Sequence, residues 1–186
     1  MKWYNSNNLC NTNQELMSLC SSSHNIFGQI ECYSFDQKEY PAVGNVEAMF
    51  RLLKNTIETS FPDFDFSWLI HQHFKIVESS EEAQSNIGWT VISNVPSSQA
   101  ILSNLWAGIE KEIQPSNCMI YAYEPNCTDA FSELGALWTV SYLFVNLKMR
   151  KILHFHMREG ASSVEQLSDV DISMDEDMEL ECYNYC

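Results

Sequence analysis

Ala136-Leu-Trp-Thr-Val-Ser-Tyr-Leu-Phe-Val-Asn-Leu-Lys-Met-Arg-Lys-Ile-Leu-His-Phe-His-Met-Arg158 is two aromatic-rich strand patterns joined by a basic turn. Leu137 to Val145 is rich in β-branched and aromatic residues. Strand side chains alternate, so Trp138, Val140, Tyr142 and Phe144 fall on one face and Leu137, Thr139, Ser141, Leu143 and Val145 on the other. Asn146 to Arg150 break the run, and Lys151 to Met157 resume it. The stretch reads as a long hairpin with a four- or five-residue loop. By sequence it carries no nucleophile–base pair and no phosphate loop. It offers a firm sheet with a positive tip at Lys148, Arg150 and Lys151.

Working outward, Cys118 to Tyr123 and Ile26 to Phe35 read as further strands, and Phe74 to Val77 as extended. Gly88 to Val95 also reads as a strand, after a solvated loop or helical turn over Glu78 to Asn86. Asn45 can cap a helix running to about Ser60. Its apolar stripe is Val46, Met49, Phe50, Leu53 and Ile57, and Pro62 stops it. Ser97 to Ile113 is a second helix, with Ile101, Leu102, Leu105, Trp106, Ile109 and Ile113 as its stripe. Leu9 to Leu19 is a weaker helix pattern, because Asn and Ser crowd it. Asp36 to Asn45, with Pro41 and Gly44, and Pro125 to Leu134 read as loops. The sum is an α+β domain over residues 1–158, with about five mainly antiparallel strands packed with helices.

The hairpin residues Trp138-x-x-x-Tyr142-x-Phe144-x-Asn146-x-x-x-x-Lys151-Ile152 resemble the C-terminal box of the negative regulators of RNA polymerase III, the Maf-one family. Gly28-Gln-Ile-Glu-Cys-Tyr-Ser34 is similar to that family's N-terminal strand. Phe61-Pro-Asp-Phe-Asp-Phe-Ser67 is similar to its P-D-Y-D-F-S box. Leu105 to Ile113 and Ile120 to Pro125 resemble the helix and strand between the boxes. The resemblance is colinear over about residues 1–158. It implies a non-enzymatic repressor that binds the polymerase and blocks its engagement with the initiation factor at tRNA and other small-RNA genes. It also implies regulatory kinases and a place in both nucleus and cytoplasm. The family often carries a long Ser-rich insert where this chain has only the short 36–45 connection, so regulation housed there is in doubt here.

Charge bears on the partner. The chain carries −15 overall, with nine acids and no Lys or Arg in residues 159–186 and −6 over residues 1–158. The last segment reads as a disordered acidic tail. A body this acidic lacks the basic face of a nucleic-acid-binding domain, so the expected partner is a protein surface and no direct DNA or RNA binding is expected. The seven cysteines are odd in number and form no C-x-x-C pair, which favours free thiols in a reducing compartment. No signal peptide or membrane span is visible, and a soluble monomer without cofactor is expected.

Several constellations invite chemistry. His71/His73 and His154/His156 are H-x-H pairs, and two such residues on one strand face can reach one metal. A small metal-dependent hydrolytic enzyme is therefore the alternative function, and a generic interaction module a further one. No third ligand is evident, so ordinary surface or part-buried histidines are the simpler reading. Asp63 and Asp65 resemble a carboxylate pair, but acids after Pro62 fit helix capping better than acid–base catalysis. Phe61, Phe64 and Phe66 read as core. Trp138, Tyr142 and Phe144 read as the core-facing stripe, which would make Trp138→Ala cost about 3–5 kcal/mol. Lys148, Arg150 and Lys151 are either a solvated loop that blunts edge pairing or a partner contact. In the tail, Ser162, Ser168 and Ser173 each precede an acid by three residues, the spacing an acid-directed kinase reads.

Overall fold

The alternating patterns gather into one antiparallel sheet. In this computed structural model, which describes residues 1–4, 6–20, 25–36, 44–96, 98–125, 128–133 and 135–160, the strands are β1 (Lys2–Trp3), β2 (Ile26–Ser34), β3 (Phe74–Val77), β4 (Met119–Tyr123), β5 (Trp138–Asn146) and β6 (Lys151–Glu159). Their spatial order is β1-β2-β6-β5-β4-β3. The β5–β6 hairpin forms as its pattern predicts, in register from Trp138↔Glu159 to Asn146↔Lys151 around a four-residue turn. β6 pairs on its other side with β2, from Ile26↔Glu159 to Ser34↔Lys151. Among the described residues the sheet has six strands, against about five expected. The additional strand is the two-residue β1, too short to leave a periodic trace.

Five α-helices complete the described structure: α1 (Asn7–Cys20), α2 (Val46–Ser60), α3 (Ser80–Asn94), α4 (Gln99–Ile113) and the single turn α5 (Ala130–Glu133). Asn45 caps α2 as its side-chain oxygen accepts from the Ala48 N–H at 2.9 Å. α3 overturns a sequence expectation. Gly88 to Val95 is helical, because Ala83, Ile87 and Val91 recur every four residues and are the buried positions. Ile87, Trp89 and Val91 also alternate, which is what mimics a strand. The helix starts at the Ser79 N-cap, whose hydroxyl accepts from Glu82 N–H, while the Glu82 carboxylate accepts from Glu78 N–H one residue before the cap. Part of the expected 125–134 loop is α5, begun by the Asp129 carboxylate, which accepts from the Ser132 N–H at 2.8 Å.

Both faces of the sheet are covered. On one, α1, α3 and α4 bury Leu16, Ile87, Leu105 and Ile109 against Ile30, Val140, Phe144, Leu153 and Phe155. Gly28 lets α1 lie close to β2: a Cβ on it would stand 3.2–3.3 Å from the Leu16 side chain, which would have to give by a few tenths of an ångström. On the other face, α2 and the 61–69 segment bury Leu52, Ile57, Phe61 and Phe66 against Tyr33, Leu143, Val145 and Ile152. The core stripe on α2 is rotated from the one read in the sequence. Ala48, Leu52, Leu53, Thr56 and Ile57 are buried, whereas Val46 is 70% exposed and Met49 and Phe50 are half-buried. Trp138 is also only half-buried, at the end of the stripe that holds Tyr142 and Phe144 in the core.

Candidate functional site

The β5–β6 turn is built by Asn146. Its side-chain amide donates to the Ile113 carbonyl at the end of α4 (2.9 Å), and its oxygen accepts from Met149 N–H (3.0 Å). Arg150 takes the left-handed conformation that closes the turn (φ 54°), and its carbonyl accepts from Phe35 N–H. Lys148 and Arg150 are exposed at this end. Lys151 is not part of the same exposed tip. It bonds Glu112 Oε1 at 2.6 Å, and its ammonium sits 3.8 Å over the Tyr4 ring.

Glu112 is the anchor of this end and was not read from the sequence as more than a helix residue. It is 3% exposed, yet one cation and several neutral polar groups surround it. Ser6 Oγ donates to Oε2, Asn8 Nδ2 donates to the same oxygen at 3.2 Å, and Cys32 Sγ lies 3.9 Å from Oε1. Burial pushes this carboxyl up, but Lys151, Ser6 and Asn8 outweigh it and hold the group below its usual range. Burial likewise opposes the Lys151 charge, and Glu112 overcomes it, leaving the ammonium above its usual value. Removing either partner would strand a buried charge, the costly case. The same burial, reinforced by Glu112, pushes the Cys32 thiol up to about 12, which makes it unreactive.

The Phe61–Ser67 box is a packing device. Phe61 and Phe66 are buried, with ring centroids 4.9 and 5.8 Å from Phe131 of α5. Phe131 went unnoticed in the sequence because a one-turn helix has no periodicity to detect. Asp65 does not cap an α-helix there. Its carboxylate accepts from Ser67 N–H at 2.8 Å in a tight turn, and the next helical residues in the chain are the 3₁₀ turn His71–His73. That bond to Ser67 holds the Asp65 carboxyl below its usual range. Asp63 is exposed on the same turn.

The four histidines do not converge. His71 is exposed, while His73 is buried and its Nδ1 accepts from Ile70 N–H at 3.3 Å. His154 has both ring nitrogens engaged, Nε2 with Ser141 Oγ and Nδ1 with Ser60 Oγ, each at 2.9 Å. The hairpin therefore does bring a hydroxyl and an imidazole together, contrary to its sequence reading. Both are buried, and burial holds His154 down to about 3, which leaves it a poor base near neutrality. His156 stands 4.7 Å from the Phe61 ring and 4.5 Å from that of Phe131, with no hydrogen bond at either nitrogen. Among the described residues no group of three or more His, Cys, Asp or Glu is arranged to hold a metal, and no helix is long and apolar enough to cross a membrane. Ser162, Ser168, Ser173, most of the 36–45 connection and all but the first two residues of 159–186 lie outside the described residues.

Comparison with known proteins bears on what such a body does. The family model described as Maf1 regulator matches residues 11–156. A repressor of RNA polymerase III transcription, maf1, from Schizosaccharomyces pombe is 27% identical over 109 residues, which are 58% of this chain and 45% of the relative. One from Dictyostelium discoideum is 30% identical over 103 residues, 55% of this chain and 37% of the relative. The matches thus span less than half the length of these two relatives. An uncharacterized protein of Encephalitozoon cuniculi is 27% identical over 128 residues, 67% of this chain and 77% of its own length. Two crystal structures of citrus MAF1 share the fold, at TM-scores of 0.63 and 0.66 with 22% and 21% identity, each covering 83% of this chain and 99% of that protein.

Proposed function

The chain belongs to the Maf1 regulator family, and on that premise we propose that it represses transcription by RNA polymerase III. It does so by binding a protein surface of the polymerase and blocking engagement with the initiation factor at tRNA and other small-RNA genes. The observation that carries this reading is the family match over residues 11–156, together with two relatives both named as repressors of that polymerase. The charge supports a protein partner over a nucleic acid. Residues 1–158 carry −6, and two of their cations, Lys75 and Lys151, are engaged by Glu124 and Glu112. Lys148 and Arg150 are the cations this reading places at the contact. The protein acts as a monomer without cofactor. It passes between cytoplasm and nucleus, and kinases acting on Ser162, Ser168 and Ser173 tune its approach to the polymerase through added negative charge.

The test is transcription of a tRNA gene by purified polymerase III and its initiation factor. Added before the factor, the chain is expected to abolish new transcripts, and it should recover the largest polymerase subunits from nuclear extract. Undiminished transcription overturns the reading. Submicromolar binding to the tRNA gene alone at about 150 mM salt overturns the protein-surface mechanism.

A further inference from the structure

Charge is spread unevenly over this molecule. Nine Lys and Arg lie among the described residues, and five of them gather at one end of the sheet. Lys2, Ser34 and Lys151 stand level on three neighbouring strands, which puts the two lysines on one face, roughly 10 Å apart. Lys148 and Arg150 occupy the turn just before Lys151. Lys111 is in the last turn of α4, whose Ile113 carbonyl meets Asn146 at the end of β5. Lys2, Lys111, Lys148 and Arg150 are exposed. Lys2, Lys111 and Lys148 have no carboxylate within ion-pair distance among the described residues. The acids of this end are Glu112, which Lys151 holds, and the exposed Asp36 and Glu110. Of the other four cations, Lys54 and Lys75 are each paired with a Glu, Arg158 is buried, and Arg51 lies on α2. The −6 of residues 1–158 is therefore an average over a molecule with one positive end.

Beside these charges is an apolar groove of about 280 Å³, whose walls include Trp3, Tyr4, Leu9, Cys10, Met17 and Ile30. Trp3 is 63% and Met17 70% exposed. Tyr4 joins the two features, since the Lys151 ammonium stands over its ring. The groove is smaller than ordinary small-molecule sites, roughly 300–1,000 Å³, and suits one or two bulky apolar side chains. We propose that this end of the molecule is a docking surface for an acidic segment of a partner protein, with an apolar residue set among Asp and Glu. Charge complementarity selects the acids, because exposed cations outnumber the carboxylates around them. The groove selects a protein over a nucleic acid, because a phosphate backbone would meet the cations and leave the groove empty. Trp3 is the anchor expected of such a contact, a large ring at the border of charge and apolar wall. The surface extends the Lys148 and Arg150 contact of the repressor reading. It rests on that reading for the identity of the partner, and on the charges and the groove for its chemistry.

A short synthetic peptide of Asp and Glu with Phe at its centre tests it, titrated into the full chain and followed by calorimetry and NMR. Signals of Lys2, Trp3 and Met17 are expected to shift, and affinity to fall as salt is raised. The K2E/K148E double variant should bind at least about tenfold more weakly, and so should a peptide with Ser in place of Phe. M17D, at an exposed position of α1, reads the groove without touching the cations and should lose about as much. Unchanged affinity in either variant, or for the Ser peptide, overturns the proposal. So do shifts confined to other parts of the molecule, and a single-stranded RNA that holds this surface more tightly than the peptide. A full chain that does not admit the peptide, because a second copy or its own residues 159–186 already fill the surface, overturns it as well. No polymerase enters the measurement. Its failure therefore leaves the repressor reading to the transcription test, and failure of that test leaves this surface standing.

Discussion

The two faces of the sheet are buried equally well and by different chemistry. Under α1, α3 and α4 the filling is mostly aliphatic, and β6 contributes Leu153, Phe155 and Met157. Under α2 and the 61–69 segment the same strand contributes Ile152, His154 and His156, packed among Phe61, Phe66 and Phe131. A strand alternates its side chains, so neighbouring residues of β6 serve a core indifferent to pH and a core that depends on imidazoles staying neutral. The lesson is that burial alone does not describe a core. The same depth costs little for Phe155 and imposes a proton balance at His156.

The largest effect expected from breaking this contrast is on the aliphatic side. Phe155→Ala should destabilise the fold by about 3–5 kcal/mol, the range for truncating a fully buried ring, measured by urea unfolding. The loss should be the same at pH 8 and pH 6.

The aromatic side should show its character through pH. His154 and His156 have their folded-state pKa values depressed by burial, His156 further by its neighbours His154 and Arg158, whereas in the unfolded chain both titrate near 6.5. The unfolded state therefore binds more protons below about 6.5, and stability present above that pH is lost as pH falls. Each histidine contributes a slope of about 1.4 kcal/mol per pH unit, which for His154 continues down to about 3. His156→Phe should remove one of the two slopes and cost little at pH 8, because His156 makes no hydrogen bond that Phe would lack. Identical acid unfolding of the variant and the wild type would show that His156 is not the group protonated.

Trp138→Ala sharpens the comparison at the rim of the aliphatic face. The ring is half-buried and its Nε1 donates to Glu159 Oε2 at 2.7 Å. A loss of about 1–2 kcal/mol is expected, below the value for a fully buried indole, and thermal melting checks it. The smallest effect belongs to the turn, which serves neither face. Lys148→Glu with Arg150→Glu should leave stability within about 0.5 kcal/mol while weakening polymerase association, read by unfolding and by pull-down. Unchanged association would remove the turn from the proposed contact.

What the sequence disclosed, and what it withheld, follows from distance along the chain. The hairpin, β2, β4, α2 with its Asn45 cap and α4 are written in local periodicity and came through with boundaries within a few residues. α3 failed because three of its apolar residues satisfy both periods at once. At the candidate site, the exposed Lys148 and Arg150 were legible as charges in a turn. The diversion of Lys151 to Glu112 was not, since those residues lie 39 apart and meet only after α4 docks on the sheet. His154 finds one of its hydroxyl partners, Ser60, at a separation of 94. No spacing rule reaches that far.

The order β1-β2-β6-β5-β4-β3 carries a consequence for synthesis. β6 leaves the ribosome after the other five strands, yet it occupies the middle of the sheet, between β2 and β5. Until it emerges, β2 has only β1's two residues to pair with, and the β3–β4–β5 group stands apart from it. From the completion of β4 until β6 emerges, the nascent chain carries two half-sheets with open edges, an aggregation-prone state. A message that stopped before Lys151 would therefore make no partial version of this protein, only two halves without the strand that joins them.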